Sequence, residues 1–386
     1  MKQYPITKPY FDKKEIKALE GPVKAGWLVQ GERVKEFESL VAGYTKAKFA
    51  SACTSCTTAL HMALIACGVK EQDEVIIPSL TFVATANVVE YMNAKPVFVD
   101  IDIDTFNIDP EKLEKKITKK TKAIMPVHLF GLCADMAPVM KIAKKHNLKV
   151  IEDAACAVGS TYRGKHAGTI GDAGAFSFHP RKLITCGEGG MLITDNKDIN
   201  KLVRTLREHG AHMDDLVRHK KNIAILPDYK VLGYNYRLTD LQASVAVEQM
   251  KKLDMILKER IRKANYYDKL LKNTEFIKIP EVPKGYKHSY QSYVCIVDNT
   301  NLKSLKEKHL YRNRLMSYLK DKGISTRIGT HCVPALHYYK NKYKIKKSDF
   351  ENALTAEYLS MTLPLYHILS RKNQEYIAKQ IKDFIG

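Results

Sequence analysis

No GxGxxG follows the first predicted strand of this 386-residue chain, which removes support for a dinucleotide-binding fold. A second CxxC is missing as well. Cys53 and Cys56 form one pair, while Cys67, Cys133, Cys156, Cys186, Cys295 and Cys332 stand apart, so neither a zinc ribbon nor a disulfide framework is expected and no metal site is assigned. No stretch is apolar for long enough to span a bilayer, and the opening MKQYPITKPYF lacks the apolar core of a secretion signal. The expectation is a reduced, cytoplasmic protein with no membrane partner. Acidic residues are scarce, 42 against 63 basic ones, for a formal charge of +21. Even so, no arginine-rich stripe with interleaved aromatics marks a nucleic-acid footprint. Lysines are spread along a helical face (Lys112, Lys115, Lys116, Lys119, Lys120) and a late loop (Lys340, Lys342, Lys344, Lys346, Lys347), the pattern of a solvated surface. A basic nucleic-acid-binding or regulatory protein is a rival reading for which charge alone argues. Internal repeats and low-complexity segments are absent.

What is present is the length for two domains and an alternation of short apolar runs with helical patterns. Apolar runs at 74–77, 96–99, 123–127 and 150–152 are separated by helical stretches at 59–66, 84–92 and 136–146. Such repetition predicts an α/β architecture, a mostly parallel sheet covered by helices on both faces. A further run at 191–194 precedes a helix near 200–208, and 212–221 reads as a polar connecting stretch. Thr239 and Gln242 form a capping-box pattern that opens a long helix, in which Met250, Leu253, Leu257 and Ile261 keep one apolar stripe. That helix divides the chain into a large domain (1–251) and a smaller C-terminal α+β domain (252–386), where 292–297 reads as a strand.

The most informative segment is FSFHPRKLITCGEGG, residues 176–190. Strand-like alternation of Phe176 and Phe178 with Ser177 and His179 is broken by Pro180, and Lys182 follows before a glycine turn. A lysine at the end of a buried strand suits a Schiff base with pyridoxal 5'-phosphate (PLP), since burial lowers an amine's pKa and makes it a nucleophile. Ligands of open α/β sheets sit beyond the carboxyl ends of the strands. Asp153 ends one run, and a carboxylate there would pair with the protonated pyridine nitrogen of PLP; capping of a following helix is the alternative. Ser55, Thr57 and Thr58 precede a helix whose first amides would hold a phosphate, or simply cap it. Phe82 follows the 74–77 strand, as a stacking ring or as core.

In this order and spacing, together with IEDAACAVGS and GYNYRLTDLQA, these residues resemble the PLP-dependent nucleotide-sugar aminotransferases of the DegT–StrS family, of the fold type I class. The likeness runs from Trp27 to the LPLYH motif near Pro364. It implies a seven-stranded large domain, with Lys182 carrying PLP, Asp153 on the pyridine nitrogen, Phe82 on the ring, and Ser177 with Ser55, Cys56 and Thr57 around the phosphate. It implies further that Asn235 reaches the phosphate in a neighbouring subunit, making a homodimer with a shared site. His331 and His337 fall in the stretch that resembles the substrate-side loop. Two positions depart from the pattern: Cys156 replaces the usual glutamine that contacts the ring oxygen or substrate, and Cys56 replaces the glycine of the usual SGT turn. The implied reaction moves an amino group from an amino acid, glutamate first, to a keto-deoxy sugar on a nucleoside diphosphate. Transamination of a keto-cyclitol is an alternative. A sugar 3-dehydratase, which carries histidine at the lysine position, is opposed by Lys182. Surface polysaccharide such as lipopolysaccharide, protein glycan and secreted metabolite all stay open as the product's destination.

Overall fold

A computed structural model describes residues 2–211 and 228–385; the polar stretch 212–221 lies outside the described residues. Seven strands form the central sheet. From one edge to the other they are Phe49–Cys53, Gly190–Thr194, Ala173–Ser177, Lys149–Asp153, Thr121–Ile124, Glu74–Pro78 and Lys95–Val99. Every strand runs in one direction except Gly190–Thr194, which is antiparallel to both of its neighbours. The reversal has a simple cause. Between Ser177 and Gly190 lies a turn-rich connection with no helix, so it lacks the helical crossover that usually joins parallel strands and returns as a hairpin-like pair.

Both faces of the sheet are buried, and the strand sequences show why. Consecutive side chains point to opposite faces. Val75, Ile77, Ala123, Ile151, Ala175 and Leu192 pack into one core with the Cys56–Ala66, Ala84–Tyr91 and Lys197–Leu206 helices. Ile76, Ile124, Val150, Phe176, Met191 and Ile193 pack into the other with the Glu32–Thr45, Met136–Lys145 and Asp240–Lys251 helices. Continuous apolar runs, rather than alternating ones, are what two covered faces demand. The segment read as alternating at 176–179 is such a case: the strand is Ala173–Ser177, buried throughout, and it ends before His179. The 123–127 run likewise leaves the sheet at Ile124, with Val127 keeping a single bridge to Asp153.

The long helix expected from Thr239 is two helices, Asp240–Lys251 and Leu253–Leu271, divided at Lys252. The Thr239–Gln242 capping box is present at its start, and the apolar stripe is buried as expected. Leu253, Ile256 and Leu257 pack into the large core, whereas Ala264, Tyr267 and Leu271 belong to a third core built on a three-stranded antiparallel sheet of Ile277–Lys278, Tyr293–Val297 and Ser360–Leu363. The chain then returns to the main core. Phe350, Ala353 and Ala356 join the first cluster, and the Asp100 carboxylate accepts from the amides of Asn352 (3.1 Å) and Ala353 (3.0 Å), capping the Glu351–Leu359 helix from the large sheet. The cavity described below lies between these two parts.

The edge strand Phe49–Cys53 leads into the site and is held by a buried ion cluster. Glu38 accepts from Arg207 and Arg204 (2.6 Å each) and from the Ala52 amide (2.9 Å), while the two arginines donate to the carbonyls of Ala52 and Ala50. Burial alone raises the Glu38 carboxyl, but the Arg207 and Arg204 guanidinia outweigh it, and its pKa lies below the ordinary 4.5. A depressed carboxylate contributes stability that is complete above its unfolded pKa and is lost as pH falls through the folded one. The urea midpoint of the protein should therefore fall as pH drops below 4.5. Glu38→Gln, which strands two arginines, should cost about 3–5 kcal/mol at neutral pH and flatten the acid limb. A parent-like urea midpoint in that variant would contradict this role.

Candidate active site

Asp153 closes the middle strand of the sheet, and no helix follows it, so the capping alternative falls away. One carboxylate oxygen accepts from the Thr85 hydroxyl at 2.7 Å and the other from the Ala155 amide at 3.1 Å. Thr85 is itself paired with Thr81 at 2.8 Å, so the helix after the Glu74–Pro78 strand orients the carboxylate. The preceding residue points the other way. Glu152 is fully buried against His128 (2.7 Å) and takes the amides of Gly168, Ile170 and Gly171 at 2.6–2.8 Å. Each amide removes an orphan donor from the loop that enters the next strand, and together they fix where Asp153 ends.

Lys182 sits in the turn after the neighbouring Ala173–Ser177 strand, its amide bonded to the His179 carbonyl at 2.9 Å. Its Nζ lies 3.1 Å from the Cys156 sulfur. The expectation of a lowered pKa is corrected by this neighbourhood. Burial does pull the Lys182 amine down, but Cys156, Cys56 and the Asp153 carboxylate together more than offset it, and the net shift is upward. Sequence position signals the burial; only the fold brings those partners around the ammonium.

The other end of the site is the start of the Cys56–Ala66 helix. Ser55 caps it, with its Oγ accepting from the Thr58 amide at 3.1 Å and the Thr58 hydroxyl oxygen accepting from the Ser55 amide at 3.1 Å. The capping reading is therefore right for Ser55. The amides of Cys56 and Thr57, in the first turn, have no acceptor within the helix and are the groups free to bind an anion. Cys56 is buried, its sulfur 3.5 Å from the Ala175 carbonyl. This helix start can approach the sheet only because residue 190 is glycine, since a Cβ there would fall 2.2 Å from the Ser55 carbonyl. Gly190 pairs directly with Ser177, which brings the Ser177 side chain to the same end.

These groups line one cavity of about 590 Å³. Ser55, Cys56, Thr57, Phe82, Asp153, Cys156, Ser177, Lys182 and His331 all face it. Phe82 is 67% exposed, a ring open to the cavity rather than core. His331 pairs with Glu357 at 3.0 Å. His337 does not line the cavity; it opens a short helix and bonds Asn341 instead. Asn235 is also outside it and exposed, on a rigid frame: Tyr234 and Tyr236 stack on each other against His61, and the Tyr236 carbonyl accepts from the Thr54 amide at 2.9 Å.

Sequence reasoning missed the arginines of the cavity, Arg181, Arg260 and Arg327, and the side chain of Gln291. For Arg260 a signal existed. It falls in the buried stripe of its helix with Leu253, Ile256 and Leu257, a position where a charged residue needs a reason.

The residues present fit a flat, phosphorylated pyridine aldehyde. The Asp153 carboxylate could pair with a ring nitrogen, the Lys182 amine could condense with an aldehyde, the free Cys56 and Thr57 amides could hold a phosphate, and the exposed Phe82 ring could cover an aromatic face.

Comparisons with known proteins give the family. Residues 9–382 match the DegT/DnrJ/EryC1/StrS aminotransferase family. A GDP-perosamine synthase of Caulobacter vibrioides is 46% identical over 264 residues, 68% of either chain. The spore coat polysaccharide biosynthesis protein SpsC of Bacillus subtilis is 37% identical over 384 residues, covering 99% of this chain and 97% of that one. The protein Spr1654 of Streptococcus pneumoniae, solved in its PLP form, superposes with a TM-score of 0.90 at 28% identity, over 99% of this chain and 98% of that one. With a match across nearly its whole length, the chain belongs to the DegT/DnrJ/EryC1/StrS aminotransferase family.

Proposed function

We propose that the protein is a PLP-dependent aminotransferase that moves an amino group from glutamate to a keto-deoxy sugar carried on a nucleoside diphosphate, as a cytoplasmic homodimer. The observation that carries this reading is the meeting of Lys182 and Asp153, from the ends of two adjacent strands, in one cavity with free helix amides. Bound there, PLP supplies an electrophilic aldehyde and a ring that draws electrons from the carbon being deprotonated. Lys182 anchors it. When free, its amine takes the donor's α-proton and later returns a proton to the sugar carbon. Asp153, oriented by Thr85 and Ala155, holds a proton on the ring nitrogen. Phe82 covers one ring face, and Ser177 with the Cys56 and Thr57 amides takes the phosphate. Cys156 occupies the place of a ring-oxygen contact, and His331 stands on the substrate side.

A partner subunit is supported by a patch of exposed apolar side chains beside Asn235. Leu232 is 85% exposed, and Val231, Leu28 and Val29 are exposed as well, with the Leu28 and Val29 carbonyls held at the Asp240 amide. In the dimer, Asn235 serves the neighbour's phosphate and His337 the substrate loop. The GDP-perosamine synthase relative favours a GDP-linked acceptor.

Glutamate added to the holoenzyme should bleach its visible absorbance, and a keto-deoxy sugar nucleotide should restore it. A panel of GDP-, UDP- and dTDP-linked keto sugars identifies the acceptor. No spectral change with any amino acid, or restoration only by a keto-cyclitol, would refute the assignment.

Asp153→Asn should cut turnover on the order of a hundredfold, roughly 3 kcal/mol, while weakening PLP binding far less. Near-normal turnover would show that another group holds that proton.

For the shared site, Asn235→Ala should weaken PLP binding by roughly 1.5–3 kcal/mol. Mixing Lys182→Ala and Asn235→Ala chains should restore activity at limiting PLP, because one site per heterodimer keeps both residues. An active monomer, or unchanged PLP affinity in Asn235→Ala, would overturn it.

A further inference from the structure

Three guanidinium groups reach the cavity, and among the described residues none has a carboxylate within ion-pair distance. Buried Arg207, by contrast, is paired with Glu38 at 2.6 Å, whereas buried Arg312 is held by the Ser360 carbonyl and the His309 ring. Arg260 is only 4% exposed, and burial pushes its guanidinium down to about 10. Its Nε donates to the Tyr290 carbonyl at 2.9 Å and one Nη to the Gln291 carbonyl at 2.6 Å. Gln291 in turn donates from its side-chain amide to the Arg181 carbonyl at 2.8 Å. This chain of bonds links the small domain to the residue before Lys182 and fixes the backbone from which Arg181 projects.

Arg327 comes from the opposite wall, its backbone bridged to Thr362 of the small sheet. Burial first, and then the charge of Arg181, pull its guanidinium down, and both arginines line the same cavity. Two carboxylates line the cavity. Asp153 is taken by Thr85 and Ala155, and Glu188 lies 3.9 Å from His179. Like charges brought together at a concave site without counterions favour a ligand that carries at least two negative charges. Arginine's planar fork suits phosphate oxygens in particular.

We propose that Arg181 and Arg327, the former braced through Gln291 by buried Arg260, form the receptor for the diphosphate of the acceptor substrate. This rests on the reading of the protein as a nucleotide-sugar aminotransferase and adds to it the residues that select a diphosphate-linked sugar over a free one. The sugar then lies between the arginines and Lys182, and the nucleoside lies outside them, so the diphosphate sets the reach of the keto carbon.

The test is calorimetric titration of the PLP-loaded enzyme with inorganic pyrophosphate, with PLP filling its own phosphate cradle. The parent should bind pyrophosphate with an affinity that falls as salt rises. Arg327→Gln and Arg181→Gln, both at exposed positions, should each weaken binding about 10- to 100-fold, the worth of a charge-assisted contact. Glutarate, a dicarboxylate mimic of the donor, is titrated in parallel. Absence of pyrophosphate binding in the parent, parent-like binding in both variants, or a loss confined to glutarate would overturn the proposal. Failure of the broader reading is seen separately, as a parent enzyme whose visible band does not respond to glutamate.

Discussion

The position of one carboxylate organises this molecule. Asp153 ends the middle strand of a seven-stranded sheet, beyond the last residue of Thr121–Ile124 on one side and opposite Ala175 of Ala173–Ser177 on the other. Its neighbour Glu152 is locked on the opposite face by His128 and three backbone amides, so the strand cannot slide without stranding a buried charge. From that fixed point the other groups take their places. Thr85 comes from the helix on one side, Lys182 from the turn after the next strand, and the Cys56–Ala66 helix start is admitted by Gly190.

The charge of the protein divides into two kinds. Most lysines are solvated or lie in exposed pairs that contribute little to stability. The cationic groups of the cavity are few: Arg260 is buried and held by backbone carbonyls, while Arg181 and Arg327 are exposed. In the same site, Cys156 touches the Lys182 amine at 3.1 Å, and its influence with Asp153 keeps that amine protonated despite burial.

Much of this was legible in the chain. The apolar runs gave the strands because a sheet covered on both faces needs unbroken apolar residues, and the order Ser55, Phe82, Asp153, Ser177, Lys182 placed the site because all five lie at strand or helix ends. What was not legible depends on approach across the fold. Nothing near Gln291 in sequence marks a cavity, and Arg327, although four residues before His331, carries no signal of its own; both flank strands of the small sheet. The direction of the Lys182 shift depends on neighbours 26 and more residues away, as with Cys156. The reversal of Gly190–Thr194 was readable in principle, from the missing helix between it and Ser177. His337 was placed by its nearness to His331 in sequence, but a 3-10 turn and a helix start carry it away from the cavity of its own chain.

The central claim is that Lys182 bears the cofactor. Borohydride reduction of the PLP-loaded protein followed by proteolysis and mass mapping tests it most directly. The account predicts a pyridoxyl label on the peptide carrying Lys182, and its absence from every other lysine. A label on a different lysine, or a protein that takes up PLP without being labelled at all, would contradict it.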